Sequence, residues 1–160
     1  MTVTTTSRDP DARTLTITTV LDAPPGRVWN LWEDPRLLER WWGPPTWPAT
    51  FAEHDLHPGG RSRYVMSGPD GGTSRGWWRT VSVDPPHRLE FENGFADGSG
   101  EPDPAMPVMV IRVVIEERSE GGTAMTCIGG FASVEDMERV LTMGMEEGMT
   151  SAMNQMDALL

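Results

Sequence analysis

Between Asp22 and Pro45 the chain reads D-A-P-P-G-R-V-W-N-L-W-E-D-P-R-L-L-E-R-W-W-G-P-P, and no other stretch limits its fold as much. It holds Trp29, Trp32, Trp41 and Trp42, four of the seven tryptophans. Pro24 and Pro25 suit a first helical turn, where a missing N–H costs nothing. Val28, Leu31 and Trp32 then repeat at helical spacing. Asp34-Pro35 stops that helix and opens another, with Asp34 as N-cap and Pro35 at the first position. The second helix carries Leu37, Leu38, Trp41 and Trp42 and ends at Gly43-Pro44-Pro45. Two short helices cannot bury that much aromatic surface against each other, so a sheet or a third helix must lie beneath them.

The rest of the chain supplies the sheet. Residues 1–11 read as a frayed polar leader. Arg13 to Leu21 alternates apolar residues with threonine, as a strand with one buried face does. After the tryptophan helices come strands at Thr50 to Leu56, Arg61 to Ser67, Thr73 to Val83, His87 to Phe95, Val108 to Glu117 and Thr123 to Phe131. They are separated by turn-forming clusters of Gly, Pro, Asp and Ser. Six consecutive strands joined by hairpin-length turns should pair antiparallel. The run from Val108 to Ile115 is almost continuously apolar and belongs at the sheet centre. Residues 96–107 form the one long loop, of a length that is mobile or functional in compact domains.

Ser133 opens a final helix, with Asp136 three residues on in capping-box spacing. A helix reaching Leu159 would be roughly 39 Å long at about 1.5 Å per residue. Val134, Met137, Leu141, Met145, Met149, Ala152, Met156 and Leu159 keep one face on a core. Gly144, Gly148 and Ala152 fall four apart on an adjoining face. Glycine inside a helix costs about 1 kcal/mol relative to alanine, so the stripe implies either close backbone approach or deliberate space. A single sheet of this size curves, and this helix is the one element long enough to cover its concave face.

Composition narrows the function. A net charge of −11 and a pI near 4.6 argue against nucleic acid, because phosphate contacts need a basic face. The same charge disfavours anionic membranes. No window reaches about 18 apolar residues and no apolar signal region opens the chain. A soluble, cytoplasmic protein without membrane insertion is therefore expected. The single Cys127 excludes an internal disulfide and fits a reducing compartment as a buried, inert thiol. Eleven methionines and seven tryptophans suit either a methionine-rich core or a ligand cavity.

The search for chemistry yields little. His54 and His57 lie three apart beside Glu53 and Asp55, but alternation along a strand keeps these side chains from converging on a metal. His57 and His87 read as exposed turn residues. No serine sits in a nucleophile-elbow sequence, and the glycine clusters at 68–72 and 98–100 do not open helices as a phosphate cradle would. Glu53, Asp55 and Arg63 are acid–base candidates only if a strand turns them inward. No catalytic residue, metal or cofactor is indicated.

The tryptophan stretch resembles the family of homologues of the activator of the heat-shock-protein ATPase, in the START-like (SRPBCC), birch-pollen-allergen-like superfamily. Asp22, Ala23, Pro24, Val28, Trp29, Trp32, Asp34, Pro35, Leu38, Trp41, Trp42, Gly43 and Pro44 stand in that family's pattern. Gly59-Gly60 with Tyr64, the run from Asp84 to Leu89, and the closing G-M-x-x-x-M-x-x-M-x-x-L-L match as well. The resemblance covers the chain from about residue 13. It implies an α+β helix-grip fold: a curved antiparallel sheet of six to seven strands wrapped around a long C-terminal helix. Residues 12–160 would then form one domain, with an internal cavity between sheet and helix.

Trp42, Phe51, Tyr64, Met66, Trp78, Phe95, Met109, Met149 and Met153 are the expected lining of that cavity. Adjacent residues such as Trp77 and Trp78 must face opposite ways on a strand, so one of the two belongs inside. The first expectation is a binding module for a hydrophobic small molecule, aromatic or lipid-like. The resemblance also admits a polyketide cyclase or dehydratase, which would need a polar group with a shifted pKa on the cavity floor. A stress-response co-chaperone acting on a heat-shock ATPase ranks last, because the eukaryotic activator carries a further N-terminal domain for which this chain leaves no room. A homodimer stays open.

Overall fold

The computed structural model describes residues 3–160. Eight strands form one curved antiparallel sheet: β1 (Val3–Asp9), β2 (Thr14–Leu21), β3 (Ala49–His54), β4 (Arg61–Ser67), β5 (Thr73–Asp84), β6 (Arg88–Phe95), β7 (Val108–Glu117) and β8 (Thr123–Phe131). Their order is β1-β2-β8-β7-β6-β5-β4-β3. The last six strands pair with their sequence neighbours, as their short turns require, and β2 closes onto β8. β7 lies between β6 and β8, well inside the sheet. No helix among the described residues is long and apolar enough to cross a membrane.

The count of eight corrects the expected six to seven, and the difference is β1. It lies in the segment read as a frayed leader, of which Met1 and Thr2 fall outside the described residues. The run T-T-T-S-R has strong β propensity but no apolar alternation, because β1 is an edge strand lying mostly in solvent. Its register on β2 runs from Val3 opposite Val20 to Asp9 opposite Thr14.

The connection from β2 to the far edge at β3 is made by α1 (Pro25–Glu33) and α2 (Pro35–Leu38). Asp34 caps α2 as the sequence implies, its side chain accepting from Arg36 N at 2.9 Å. The second helix is shorter than expected and gives way to turns before Trp41. Adjacent side chains on a regular helix diverge by about 100°. Leaving the helix lets both Trp41 and Trp42 enter the core, where they are 0% and 3% exposed. Trp32 meets Trp41 edge-on at 4.7 Å between ring centroids, and Trp42 meets Trp78 at 4.8 Å. Trp78 in turn stacks on Phe91 at 4.0 Å. The Trp41 indole N–H donates to the Leu31 carbonyl at 2.8 Å, so its burial leaves no polar group unmet.

The C-terminal segment corrects a second expectation. Instead of one long helix it forms α3 (Val134–Thr142) and α4 (Met145–Met153), followed by a 3-10 turn at Met156–Leu159. Ser133 Oγ caps α3 by accepting from Asp136 N at 3.1 Å. The break is at Gly144, whose φ of 88° and ψ of 21° are left-handed and open to glycine at little cost. Beyond it, α4 lies over β1 and β2. Arg8 Nε reaches Glu146 at 2.6 Å and Thr4 Oγ1 donates to Asn154 Oδ1 at 2.9 Å, so the first strand is fastened to the last helix.

Candidate functional site

A cavity of about 330 Å³ opens between the sheet and the α3–α4 break. Trp42, Pro44 and Trp47, from the connection into β3, form one wall. Tyr64, Met66, Ser74, Asn93, Phe95 and Met109 come from successive sheet strands, with Arg75, Gly94 and Pro107 beside them. Val140, Met143, Gly144, Met145, Gly148 and Met149 close the other side. Strand alternation explains the sheet contribution: Tyr64 pairs with Gly76 and Gly76 with Phe95, so these positions share a face. Met66 and Ser74 pair on that face one step along, as Asn93 and Met109 do one step the other way.

The helix break makes the opening. A Cβ built at Gly148 or at Gly144 would meet no atom within 4 Å. Of the two meanings the glycine stripe allowed, space is the one realised. Met143, 53% exposed, stands at the solvent edge, with Met145 and Met149 inward of it. Methionine suits such a wall because its unbranched thioether adapts to irregular apolar shapes.

Six of the nine residues expected at a cavity line this one: Trp42, Tyr64, Met66, Phe95, Met109 and Met149. The other three lie in the solid core. Phe51 and Trp78 are 2% and 0% exposed, packed behind Tyr64 and Trp42 at ring distances of 5.1 and 4.8 Å. Met153, also 0% exposed, accepts from Thr19 Oγ1 at 3.7 Å. Between Trp77 and Trp78, Trp78 takes the inner face. Trp77 lies on the outer one, its indole N–H donating to Phe95 O at 3.1 Å. Sequence reasoning missed Trp47 and Asn93 altogether. Trp47 had no periodic signal, and Asn93 is an isolated polar residue whose value depends on what lies across the sheet from it.

The polar corner of the cavity is built from Trp42, Tyr64 and Asn93. The Tyr64 ring lies flat over Gly76, where a Cβ would come within 2.2 Å of its Cζ, so glycine is required there. Asn93 Nδ2 donates both to Tyr64 Oη and to the Trp77 carbonyl, each at 3.1 Å. Burial pushes the Tyr64 phenol up; the Asn93 amide and the Trp42 indole N–H beside its oxygen offset part of that. The Trp42 N–H does not achieve a hydrogen bond and is buried without an acceptor.

The remaining candidates for chemistry lie outside the cavity. Asp55 pairs with His57 at 2.5 Å and Glu53 with Arg61 at 3.1 Å, all at the surface. Arg63 pairs opposite Trp77 on the outer face and reaches Glu101 at 2.7 Å, which helps pin the long loop. Arg139 fixes the other end of that loop by donating to Ala105 O at 3.1 Å. His54 bridges Trp32 O and Ser62 Oγ, both at 2.8 Å. Among the described residues, no three His, Cys, Asp or Glu side chains converge as a metal site requires. Cys127 is buried in the core, its thiol pushed up to about 12 by desolvation.

In sequence, residues 22–160 match the family described as Activator of Hsp90 ATPase homolog 1-like protein. No curated protein matches the chain. The crystal structure of protein Ms6760 from Mycobacterium smegmatis is 46% identical, with 99% of this chain and 97% of that one covered at a TM-score of 0.91. A solution NMR structure of a protein from Arthrobacter aurescens is 47% identical, with 97% and 90% covered at a TM-score of 0.92. The AHSA1 protein from Silicibacter pomeroyi is 21% identical, with 91% and 95% covered at a TM-score of 0.72, a likeness of fold alone. The fold as a whole is thus shared with these proteins, and this chain belongs to the Activator of Hsp90 ATPase homolog 1-like family.

Proposed function

We propose that this protein binds a hydrophobic small molecule in the cavity between the sheet and the α3–α4 break. The observation that carries this reading is the open volume at Gly144 and Gly148, where the helical segment withholds side chains beside a wall of methionines and aromatics. Its size of about 330 Å³ falls at the lower end of small-molecule sites, which run from about 300 to 1,000 Å³. Mostly apolar walls with a few placed polar groups are the usual make-up of such sites. A cytoplasmic setting suits the protein, since a free thiol such as Cys127 stays reduced there.

Trp42 and Trp47 border the cavity, so tryptophan emission reports its occupancy. Titration with medium-chain fatty acids and with bicyclic aromatics should give saturable quenching for at least one series. Gly148→Leu, which places a side chain in the open volume, should abolish it while the thermal midpoint is unchanged or higher. Quenching that persists undiminished in Gly148→Leu, or no saturable binding in either series, would overturn the reading.

A further inference from the structure

We propose that the ligand carries a neutral hydrogen-bond-accepting oxygen of the carbonyl type, and that the Tyr64 hydroxyl donates to it. The proposal rests on the cavity being a ligand site and adds which end of the ligand goes where.

The hydrogen bonding at the polar corner assigns the donor. The Trp77 carbonyl can only accept, so the Asn93 atom 3.1 Å from it is the amide nitrogen. That orientation sends the second N–H of the same nitrogen to Tyr64 Oη, also at 3.1 Å. The phenolic oxygen is therefore engaged as an acceptor. The Asn93 N–H directed at this oxygen repels the phenol's own hydrogen, which must point elsewhere. No acceptor for it is found among the described residues.

In this corner two donors are left without a partner, the Tyr64 O–H and the Trp42 N–H, against one acceptor, Asn93 Oδ1. Of these the Trp42 N–H is buried, and a buried polar group left unmet costs about 1–3 kcal/mol, so a ligand that brings an acceptor is favoured over one that brings a donor. The ring is held to aim that hydrogen. Gly76 lies under it, Phe51 lies at 5.1 Å on one side, and the edge of Trp42 meets it at 5.8 Å.

Charge selects the neutral form of acceptor. Arg75 pairs with Val65, one step from the Tyr64–Gly76 pair, and so lies on the outer face with an exposed side chain. Arg75 is the one charged residue bordering the cavity among the described residues, its side chain is turned out to solvent, and the protein's net charge of −11 repels a carboxylate. A ketone, aldehyde, ester or amide oxygen meets the donor without a desolvation penalty of that size.

The test uses two probes of the same shape, acetylnaphthalene and the hydrocarbon isopropenylnaphthalene, titrated calorimetrically into the wild type and Tyr64→Phe. The wild type should bind the ketone about three- to tenfold more tightly than the hydrocarbon, the yield of one neutral hydrogen bond. Tyr64→Phe should bring the ketone down to the level of the hydrocarbon and leave the hydrocarbon unchanged, which also shows that the variant is folded. Equal binding of both probes by the wild type, or equal weakening of both in Tyr64→Phe, would overturn the carbonyl proposal and leave the cavity reading standing. Binding of neither probe by the wild type would overturn the carbonyl proposal, and the cavity reading with it if the fatty acids also fail to bind.

Discussion

The imidazole Nε2 of His54 lies 2.8 Å from the carbonyl oxygen of Trp32, joining the edge strand β3 to the middle of the tryptophan cluster. A carbonyl can only accept, so Nε2 carries a hydrogen and Nδ1 accepts from the Ser62 hydroxyl at 2.8 Å. A neutral ring satisfies both bonds. Burial holds its pKa below the ordinary 6.5, although the Trp32 carbonyl and the nearby Asp55 and Glu33 pull the other way.

A folded-state pKa below the unfolded one makes the unfolded chain take up its proton first as the solution is acidified. The His54 contribution to stability is therefore complete above about pH 6.5 and is lost as pH falls through that value toward the folded pKa. Urea midpoints measured from pH 7.5 down to about pH 5 should fall more steeply in the wild type than in His54→Gln. The comparison between the two proteins is the measurement, because protonation of surface carboxylates relieves the repulsion of a −11 chain in both. Parallel profiles would show that His54 is not held neutral.

Gly76→Ala should destabilise the protein by about 1–3 kcal/mol, the usual cost of forcing volume into a packed site. The clash is specific, between a new methyl group and the Tyr64 ring at 2.2 Å. In a Tyr64→Ala background the same change should therefore cost less than about 0.5 kcal/mol, a non-additivity that a double-mutant cycle in urea reads directly. Additive costs would mean that Tyr64 does not lie across Gly76.

The two glycines of the helical segment should respond with opposite signs. Gly148→Ala adds a methyl group to open space inside α4 and should stabilise by up to about 1 kcal/mol through helix propensity alone. Gly144→Ala meets no steric obstacle either, but its φ of 88° is left-handed, and it should destabilise by about 1 kcal/mol. Thermal midpoints of the two variants separate these effects. Stabilisation by both would indicate one continuous helix and no break.

The difference between those glycines shows how far sequence reading reached here. Their four-residue spacing marked a special helix face, yet spacing alone could not distinguish tight packing from space, nor reveal that one of them breaks the helix. The backbone at Gly144 turns left-handed, and beyond it α4 packs across β1 and β2. Of those two strands β1 was illegible, because an edge strand mostly in solvent needs no apolar face. Phe51, Trp78 and Met153 fell outside the cavity for a related reason. Alternation assigns Phe51 and Trp78 to the inner face of the sheet, and helical spacing assigns Met153 to the inner face of α4, but neither tells whether that face is filled or hollow at that point.

By itself, the sequence determined the element order from β2 to α3, the Asp34 and Ser133 caps, the antiparallel succession from β3 to β8, and the family through its tryptophan-rich helices. These follow from local chemistry: proline and capping residues act within one turn, and hairpins join neighbours. Only the tertiary structure decided the rest: an eighth strand, a broken final helix, and a cavity whose polar corner joins Trp42, Tyr64 and Asn93 from three separate segments. Such a corner depends on the depth at which each side chain meets the others across the curved sheet. That is a property of packing, to which no local pattern in the chain corresponds.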